Sequence, residues 1–299
     1  MLIDLAVDSL DEIVTKLVAS HPAAVFVQAQ EPGDAALQQA LKKFGAAKID
    51  AKFLMSPKQQ YTLGNNGLPI GRAAFSKSTL QAIGQVTANG DLMVTPRFTE
   101  FGGDQPRIGV NMHAFYLTTG RLAALCTATP NASEGVKPVC LDVTPQAAAS
   151  LMNLHALDFD FNATPAVQQS RILAASKAVV FAPENSTPLL ELLKQPRLVL
   201  SISSELDDAI ATILVRHAST LTLVLGPKVA ATTAPIMRLR QFGTKIVKRT
   251  ADHGGTIVVG QQQSYLGSAR LQSLHLKNSR DVGVMLPSLD FPDLRKSAM

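Results

Sequence analysis

Two histidines at matching places in the chain are the residues best suited to carry chemistry. His113 lies in the segment Val110–Gly120, and His253 lies in the segment Asp252–Gly260, 140 residues after the first histidine. In each segment an apolar run typical of a β-strand follows the histidine, and a glycine stands seven residues after it. Histidine can act as an acid, a base or a nucleophile near neutral pH. The shared spacing therefore indicates two worn copies of one catalytic motif.

The residues after the second histidine identify the motif. The stretch Thr256–Arg270 closely resembles the phospholipase D superfamily, whose motif is His-x-Lys-x-x-x-x-Asp followed, fourteen residues after the histidine, by Gly-Ser-x-Asn. Here Gly267 and Ser268 lie fourteen and fifteen residues after His253. The resemblance is specific over Val179–Leu286. In the first half it depends on the histidine segment and on the order of the predicted elements.

This resemblance implies a phosphodiester site between two halves related by a pseudo-twofold axis. In the family, one histidine attacks the phosphorus and forms a phosphohistidine, while the other protonates the leaving oxygen and later activates water. His113 and His253 match these two residues. A downstream carboxylate orients each imidazole, and the candidates are Asp142 and Asp281, which lie 29 and 28 residues after their histidines. The resemblance therefore implies catalytic roles for these four residues.

The motif lacks the residues that neutralise a phosphate. Phe115 and Gly255 stand at the two lysine positions, and Gly120 and Gly260 stand at the two aspartate positions. The first half reads Thr127–Pro130 where the family has its Gly-Ser signature. Removing one preorganised donor from such a site costs about 3–4 kcal/mol of transition-state stabilisation. We therefore expect activity to be largely lost unless other cations compensate.

Two residues of the second half are candidate ligand-binding residues. Ser268 matches the family's serine, and Arg270 stands where the family has asparagine. A guanidinium can bind phosphate through two parallel hydrogen bonds, so Arg270 is the best candidate to replace a lysine. Arg107, Lys248 and Arg249 are further cations whose direction the sequence does not give.

Composition predicts a folded chain with an aliphatic core. The 299 residues are 46% hydrophobic and 17% charged, and the formal net charge is +5, which permits an anionic partner without requiring one. Two cysteines, Cys126 and Cys140, in a chain of this length do not indicate a disulfide framework, and neither has metal-ligand spacing to a histidine. No metal or cofactor is predicted. The first residues carry acids and no basic region, so we do not expect them to act as a secretory signal. No apolar run approaches the roughly 18 residues of a spanning helix, so we expect a cytoplasmic protein without a membrane span.

Strands and helices alternate in a similar order in both halves, which predicts an α/β fold. We expect two phospholipase D-like halves related by a pseudo-twofold, each a mixed sheet flanked by helices, and an origin by internal duplication. The N-terminal half is placed at residues 1–150, a linker at 151–177 and the C-terminal half at 178–299. The first half is expected to have helices over Asp34–Phe44 and Ser78–Ile83, with loop insertions at the glycine-rich segments Gly64–Gly67 and Gly102–Asp104.

Three functions are compatible with this sequence. The first is a phospholipase D-like protein with a degenerate, catalytically impaired site that binds a phosphate-containing ligand or a protein partner. The second is a divergent phosphodiesterase, a nuclease or a phospholipase, that uses the two histidines. The third is a structural or assembly component. Nucleic acid is a weaker prediction, because the basic stretch Arg238–Arg249 has no interleaved aromatic side chains for base stacking beyond Phe242.

Overall fold

The computed structural model describes the second half almost completely and the first half in segments. The described residues are 2–3, 9–22, 24–28, 42–54, 62–63, 68–69, 78–86, 92–100, 109–110, 115–119, 123–127, 136–143, 145–151, 179–182, 185–290 and 292–299. His113, Gly120, the segments Gly64–Gly67 and Gly102–Asp104, and most of the helix predicted at Asp34–Phe44 lie outside these residues.

The first half contributes eleven strands among the described residues. They are β1 (Leu2–Ile3), β2 (Ala24–Gln28), β3 (Asp50–Leu54), β4 (Thr62–Leu63), β5 (Leu68–Pro69), β6 (Ser78–Val86), β7 (Leu92–Glu100), β8 (Gly109–Val110), β9 (Phe115–Thr118), β10 (Ala123–Cys126) and β11 (Cys140–Asp142). Eight of them form one sheet in the order β1-β11-β10-β9-β2-β3-β6-β7, and β4 pairs with β5 separately.

The second half forms a sheet of its own. Its strands are β12 (Val179–Ala182), β13 (Val199–Ile202), β14 (Thr222–Leu225), β15 (Lys245–Lys248), β16 (Thr256–Val259), β17 (Gln263–Gly267) and β18 (Ser279–Pro287). The order is β12-β18-β17-β16-β13-β14-β15, and β8 of the first half pairs with β18. The strands β13, β14 and β15 run parallel, whereas β16 is antiparallel to β13. The carboxyl ends of three strands therefore meet the amino end of β16 at one edge of the sheet.

Helices flank the sheets. The helices are α1 (Ser9–Ala19), α2 (Thr187–Leu193), α3 (Asp208–Val215), α4 (Ala234–Gln241), α5 (Ser273–Asn278) and α6 (Leu294–Ala298), and residues 42–46 and 145–151 are also helical. The Asp207 carboxylate caps α3 by accepting a hydrogen bond from Ile210 N at 2.9 Å, and it also accepts from Ser273 Oγ at 2.7 Å at the start of α5. Gly243, predicted to end α4, has a φ of +93°, which favours glycine. No helix in the described part of the chain is both long and apolar enough to cross a bilayer.

The two sheets match in strand order and direction over six strands. The series β1-β11-β10-β9-β2-β3 corresponds to β12-β18-β17-β16-β13-β14, and only the last pair of each series is parallel. The next strand differs, because β6 is antiparallel to β3 whereas β15 is parallel to β14. The helix predicted at Ser78–Ile83 is wrong: these residues belong to β6, which pairs with β7 along its full length. Pairing with a neighbouring strand outweighs local helix propensity here.

Two apolar clusters cover the two faces of the second sheet. One cluster joins the halves, because Leu125 and Leu141 of the first half pack with Val199, Ile257 and Val284 of the second. The other packs the opposite face of the sheet, including Leu200 and Leu223, against α2, α3 and α4. Successive side chains of a strand point to opposite faces of the sheet. Because both faces are covered, every residue of β13 and β16 is buried. The polar residues at the edge of this sheet are therefore fixed between two packed layers.

Candidate functional site

His253 lies at the amino end of β16, in a turn that depends on glycine. Gly254 has a φ of +82°, in the left-handed region, and its N–H donates to the Asp252 carboxylate at 2.9 Å. The backbone N–H of Ser203, at the end of β13, donates to Gly255 O at 3.2 Å. This turn places the imidazole inside the protein, where the residue is only 2% exposed.

Both ring nitrogens of His253 have hydrogen-bond partners. Nδ1 lies 3.2 Å from the backbone nitrogen of Gly255 and 3.1 Å from Ser203 Oγ, and Nε2 lies 3.1 Å from Ser201 Oγ. A backbone N–H can only donate, so Nδ1 accepts and the proton of the neutral ring is on Nε2. The Nε2–H group then donates to Ser201. In this arrangement neither nitrogen presents an unused lone pair to a substrate.

The surroundings of His253 favour the neutral imidazole. Burial lowers the pKa of His253 well below its ordinary value, and the positive charge of Arg249 lowers it further. The ring therefore stays uncharged at neutral pH. It is not poised to donate a proton in the way that a general acid requires.

Gly255, at the predicted lysine position, has no room for a side chain. A Cβ atom added there would overlap the carbonyl oxygen of Gly267 and would lie 2.9 Å from the carbonyl oxygen of Thr127 and 3.0 Å from its Cβ. The obstructing atoms include backbone of both halves, which cannot move aside as the end of a flexible side chain can. The space that a lysine stem would enter is thus filled by the protein itself.

The first half closes over the turn that carries His253. The Thr127 hydroxyl donates to the carbonyl oxygen of His253, and Lys137 N donates to the carbonyl oxygen of Asp252 at 2.6 Å. Val136 also forms a parallel β-bridge with Asp252. Sequence reasoning missed this role of Thr127, as well as those of Ser201 and Ser203. Hydroxyl residues in the buried strand Leu198–Ser203 were the available signal for the two serines.

Asp281, predicted to orient His253, lies in a different hydrogen-bond group. The carboxylate is fully buried and accepts a hydrogen bond from Ser268 Oγ at 3.0 Å, and Ser268 Oγ in turn accepts from Val282 N at 3.1 Å. Burial is the main cause that raises the pKa of Tyr265, and the negative charge of Asp281 raises it further. The imidazole of His253 is held by serines and backbone where the sequence predicts a carboxylate. The catalytic roles of His253 and Asp281, and the ligand-binding role of Ser268, stay predictions.

The first half repeats the hydrogen bonds of Ser268 at Thr127. Thr127 N donates to Val139 O at 3.0 Å, and Val139 N donates to Thr127 Oγ1 at 3.0 Å. Ser268 N donates to Val282 O at 3.0 Å, and Val282 N donates to Ser268 Oγ at 3.1 Å. Thr127, 141 residues before Ser268, is therefore its counterpart. The motif spacing of 140 residues instead aligns Ser268 with Ala128, so it does not identify Thr127 as the counterpart.

The strand ladders shift the predicted lysine position of the first half by one residue. Phe115 pairs with Cys126, whereas Thr256 pairs with Gly267. Phe115 thus corresponds to Thr256 in the ladder, and not to Gly255 as the motif spacing predicts. A shift of one residue moves a strand side chain to the opposite face. His113 lies outside the described residues, and its catalytic role stays a prediction.

The ladders also separate Asp142 from Asp281. Asp142 pairs with Ala124 in the first hairpin, and Met285 pairs with Tyr265 at the matching place in the second. The segment between hairpin and last strand is two residues shorter in the first half, so counting from each histidine aligned residues that do not correspond. The Asp142 carboxylate instead accepts a hydrogen bond from Lys16 Nζ at 3.0 Å, in an ion pair open to solvent. Its predicted role of orienting an imidazole is untested, because His113 is not described.

Arg249 and Arg270 are two candidate cations for this site. Arg270 is half-buried. Burial of His275 is the main cause that lowers the pKa of that residue, and the positive charge of Arg270 lowers it further. Arg249 is also half-buried, directly after β15, and its charge acts on His253. Within the described ranges, no group of three or more histidine, cysteine or acidic side chains is arranged to hold a metal ion.

Likeness to two solved structures establishes the fold. Polyphosphate kinase from Porphyromonas gingivalis superposes with a TM-score of 0.59 at 12% identity, covering 99% of this chain and 49% of that chain. Phosphatidylserine synthase from Haemophilus influenzae superposes with a TM-score of 0.55 at 10% identity, covering 99% of this chain and 84% of that chain. Both are members of the phospholipase D superfamily.

The chain thus has the phospholipase D fold, an α/β fold with mixed sheets flanked by helices, as the sequence predicts. It spans about half the length of the polyphosphate kinase. No family model matches the sequence, and no curated protein matches it.

Proposed function

We propose that this protein is a phospholipase D-like protein with a degenerate active site, which binds a phosphate-bearing ligand or a protein partner with little or no turnover of phosphodiesters. The observation that carries this proposal is the filled space at Gly255. Backbone atoms of Gly267 and Thr127 occupy the place of a side chain there, so a lysine cannot be accommodated without rearrangement of both halves. A phosphoryl-transfer site without that cation loses much of its transition-state stabilisation.

The state of His253 supports the same proposal. The imidazole is buried and neutral, its Nδ1 accepts from Gly255 N, and its Nε2–H group faces Ser201. A nucleophilic imidazole needs an accessible lone pair, and an acid needs a proton that it can release near neutral pH. Hydrogen bonds of this kind make His253 a residue that holds the turn together.

We also propose that the halves at residues 1–150 and 178–299 arose by internal duplication, with residues 151–177 as a linker. The matched order of six strands supports this, as do the matching hydrogen bonds of Thr127 and Ser268.

A cytoplasmic location stays a prediction. The Cys126–Cys140 disulfide argues against it, because such bonds are rare in reducing compartments.

The ligand class follows from the retained fold and charge. The two similar structures are named for polyphosphate and phosphatidylserine, which both contain phosphate. The chain carries a net charge of +5, and the positive charge of Arg249 acts on His253. A phosphate group is therefore the ligand chemistry that we expect the site to keep.

A paired assay of turnover and binding tests the proposal. The protein is incubated with bis(p-nitrophenyl) phosphate and with DNA, and its binding of inorganic phosphate and phenyl phosphate is measured by calorimetry. We expect binding of a phosphate compound and no turnover above the level of a His253→Ala variant. Turnover that His253→Ala abolishes would establish a divergent phosphodiesterase instead. Failure to bind any phosphate compound would favour an assembly component.

A further inference from the structure

Arg249 occupies the edge of the second sheet where parallel strands end. Ser203, Gly226 and Arg249 follow β13, β14 and β15 directly, and Gly226 N donates to Ile202 O at 2.8 Å. Arg249 N donates to Leu225 O at 2.9 Å, which extends the ladder to the arginine. The carboxyl edge of parallel strands is where open α/β sheets bind their ligands. Arg249 is therefore placed at the ligand edge of the fold.

The guanidinium of Arg249 is packed beside a glycine. Its Nη2 atom lies 3.5 Å from the place that a Cβ of Gly226 would occupy. Its Nε and Nη2 atoms are buried, and no atom in the described part of the chain accepts a hydrogen bond from either of them. These two atoms form the edge that a guanidinium uses for parallel hydrogen bonds to phosphate or carboxylate. An unpaired charged donor in a protein interior destabilises the fold.

The neighbouring acid does not neutralise this charge. The Asp252 carboxylate raises the pKa of Arg249, but burial outweighs it and lowers that pKa to about 10. Asp252 Oδ1 accepts its hydrogen bond from Gly254 N at 2.9 Å, within its own turn. Arg249 is thus a cation at neutral pH, and its charge acts on His253. An anion is the complement that this group of residues lacks.

We propose that Arg249 is the anion-binding residue of this protein and that its guanidinium binds the phosphate group of the ligand at the carboxyl edge of β13, β14 and β15. This inference rests on the proposed function and assigns its ligand-binding residue. Arg249 is half-buried as a residue, whereas its Nε and Nη2 atoms are buried, so the proposal requires the end of the side chain to rotate when an anion binds. The residue supplies the positive charge that the filled position at Gly255 excludes.

The proposal has a consequence for stability. Replacing an arginine that only supports the fold destabilises the protein. Replacing an arginine whose buried donors are unpaired leaves the stability equal or raises it, because the cost of burying those donors is removed. We therefore expect Arg249→Gln to bind phosphate less well and to unfold at a temperature equal to or above that of the wild type.

Calorimetric titration of the full chain tests this inference. The probes are inorganic phosphate, phenyl phosphate as a monoester and bis(p-nitrophenyl) phosphate as a diester, so that the arms distinguish the sources of the phosphate group. Arg249→Gln is compared with Arg240→Gln, which removes the same charge from an exposed position on α4. We expect at least tenfold weaker binding in Arg249→Gln and unchanged binding in Arg240→Gln. Arg249→Lys, which keeps the charge without the planar fork, should lie between them.

The outcomes separate the two proposals. Wild-type affinity in Arg249→Gln overturns the inference and leaves the proposed function standing. An equal loss in Arg249→Gln and Arg240→Gln also overturns it, because binding then follows net charge alone. No binding of any probe by the wild type overturns both the inference and the ligand class of the proposed function. A lowered unfolding temperature of Arg249→Gln together with wild-type binding by Arg249→Lys would assign Arg249 a structural role.

Discussion

The two halves of the molecule fill the same cross-strand position in different ways. In the first half, Cys126 of β10 pairs with Cys140 of β11, and the two form a disulfide. In the second, the corresponding pair is Gly267 and Gly283, over which the ring of Tyr265 packs. One half is tied covalently, and the other has made room for a large buried aromatic ring. One strand arrangement can thus be stabilised by two different means.

This difference extends to the residue after each hairpin. Thr127 follows the disulfide-bonded strand and donates to the carbonyl oxygen of His253 in the other half. Ser268 follows the glycine strand and donates to the buried carboxylate of Asp281. The two hydroxyls have the same local backbone hydrogen bonds but different third partners. The first half therefore braces the histidine turn, whereas the second holds a buried acid.

The glycine pair gives the largest expected effect. A Cβ at Gly283 would lie 2.5 Å from Tyr265 Cζ, so Gly283→Ala forces the ring or the strand to move. We expect a loss of about 3 kcal/mol in the free energy of unfolding, measured by urea denaturation. A matched Gly283→Ala/Tyr265→Leu variant should recover part of the loss. Wild-type stability of Gly283→Ala would mean that the two strands do not pack under Tyr265.

The disulfide comes next in size. The double variant Cys126→Ala/Cys140→Ala removes a cross-link between positions with a sequence separation of 14 and should lower the free energy of unfolding by about 3 kcal/mol, somewhat less if the alanines pack well. Denaturation with and without a dithiol reductant measures this effect. Reductant should destabilise the wild type and leave the double variant unchanged. An equal response of both proteins would show that the disulfide does not stabilise this half.

The buried histidine predicts a pH dependence. Burial lowers the pKa of His253 in the folded protein below the ordinary histidine pKa of 6.5. Below pH 6.5 the unfolded chain therefore binds a proton at His253 more readily than the folded protein does. Stability should be full above that pH and fall by up to about 1.4 kcal/mol per pH unit as the pH decreases below it. A His253→Gln variant should show a weaker fall between pH 6.5 and 5. Parallel curves for the two proteins would contradict the buried, neutral state of His253.

The hydroxyl of Thr127 should give the smallest effect. Thr127→Val keeps the shape of the side chain and removes two hydrogen bonds, the one donated to the carbonyl oxygen of His253 and the one accepted from Val139 N, at a cost of about 1–2 kcal/mol. Ser268→Ala is the matched change in the other half. We expect Ser268→Ala to be the more destabilising of the two, because it leaves the buried Asp281 carboxylate with one fewer donor. The unfolding temperatures of the two variants check this order. A lower unfolding temperature for Thr127→Val than for Ser268→Ala would contradict it.

The sequence predicted the second half well because its signals are local. The alternating run Leu198–Ser203 predicts a strand, Asp207 predicts a helix start and Gly243 predicts a helix stop, each from neighbouring residues alone. The structure has all three within one or two positions. The first half was harder. Residues 78–83 were expected to be helical, but they belong to the nine-residue strand β6, which pairs with β7 on one side and with β3 on the other.

The candidate site could be predicted only in part, because its details depend on register. The sequence located His253, but its serine partners and the closing role of Thr127 depend on how two distant segments meet. Counting residues from each histidine paired Asp142 with Asp281, and the unequal length of the two connecting segments defeats that count. The disulfide was missed for the same reason, since it needs Cys126 to face Cys140 across two strands.

The most direct test of the central claim is the intact mass of the protein after incubation with a phosphodiester substrate, followed by rapid acid-free quenching. A working site of the kind that the resemblance implies would form a covalent phosphohistidine. A neutral His253 with both ring nitrogens hydrogen-bonded, and with Gly255 at the lysine position of the motif, should not. We predict an unchanged mass at every time point. A phosphorylated species that is absent from His253→Ala would contradict the account.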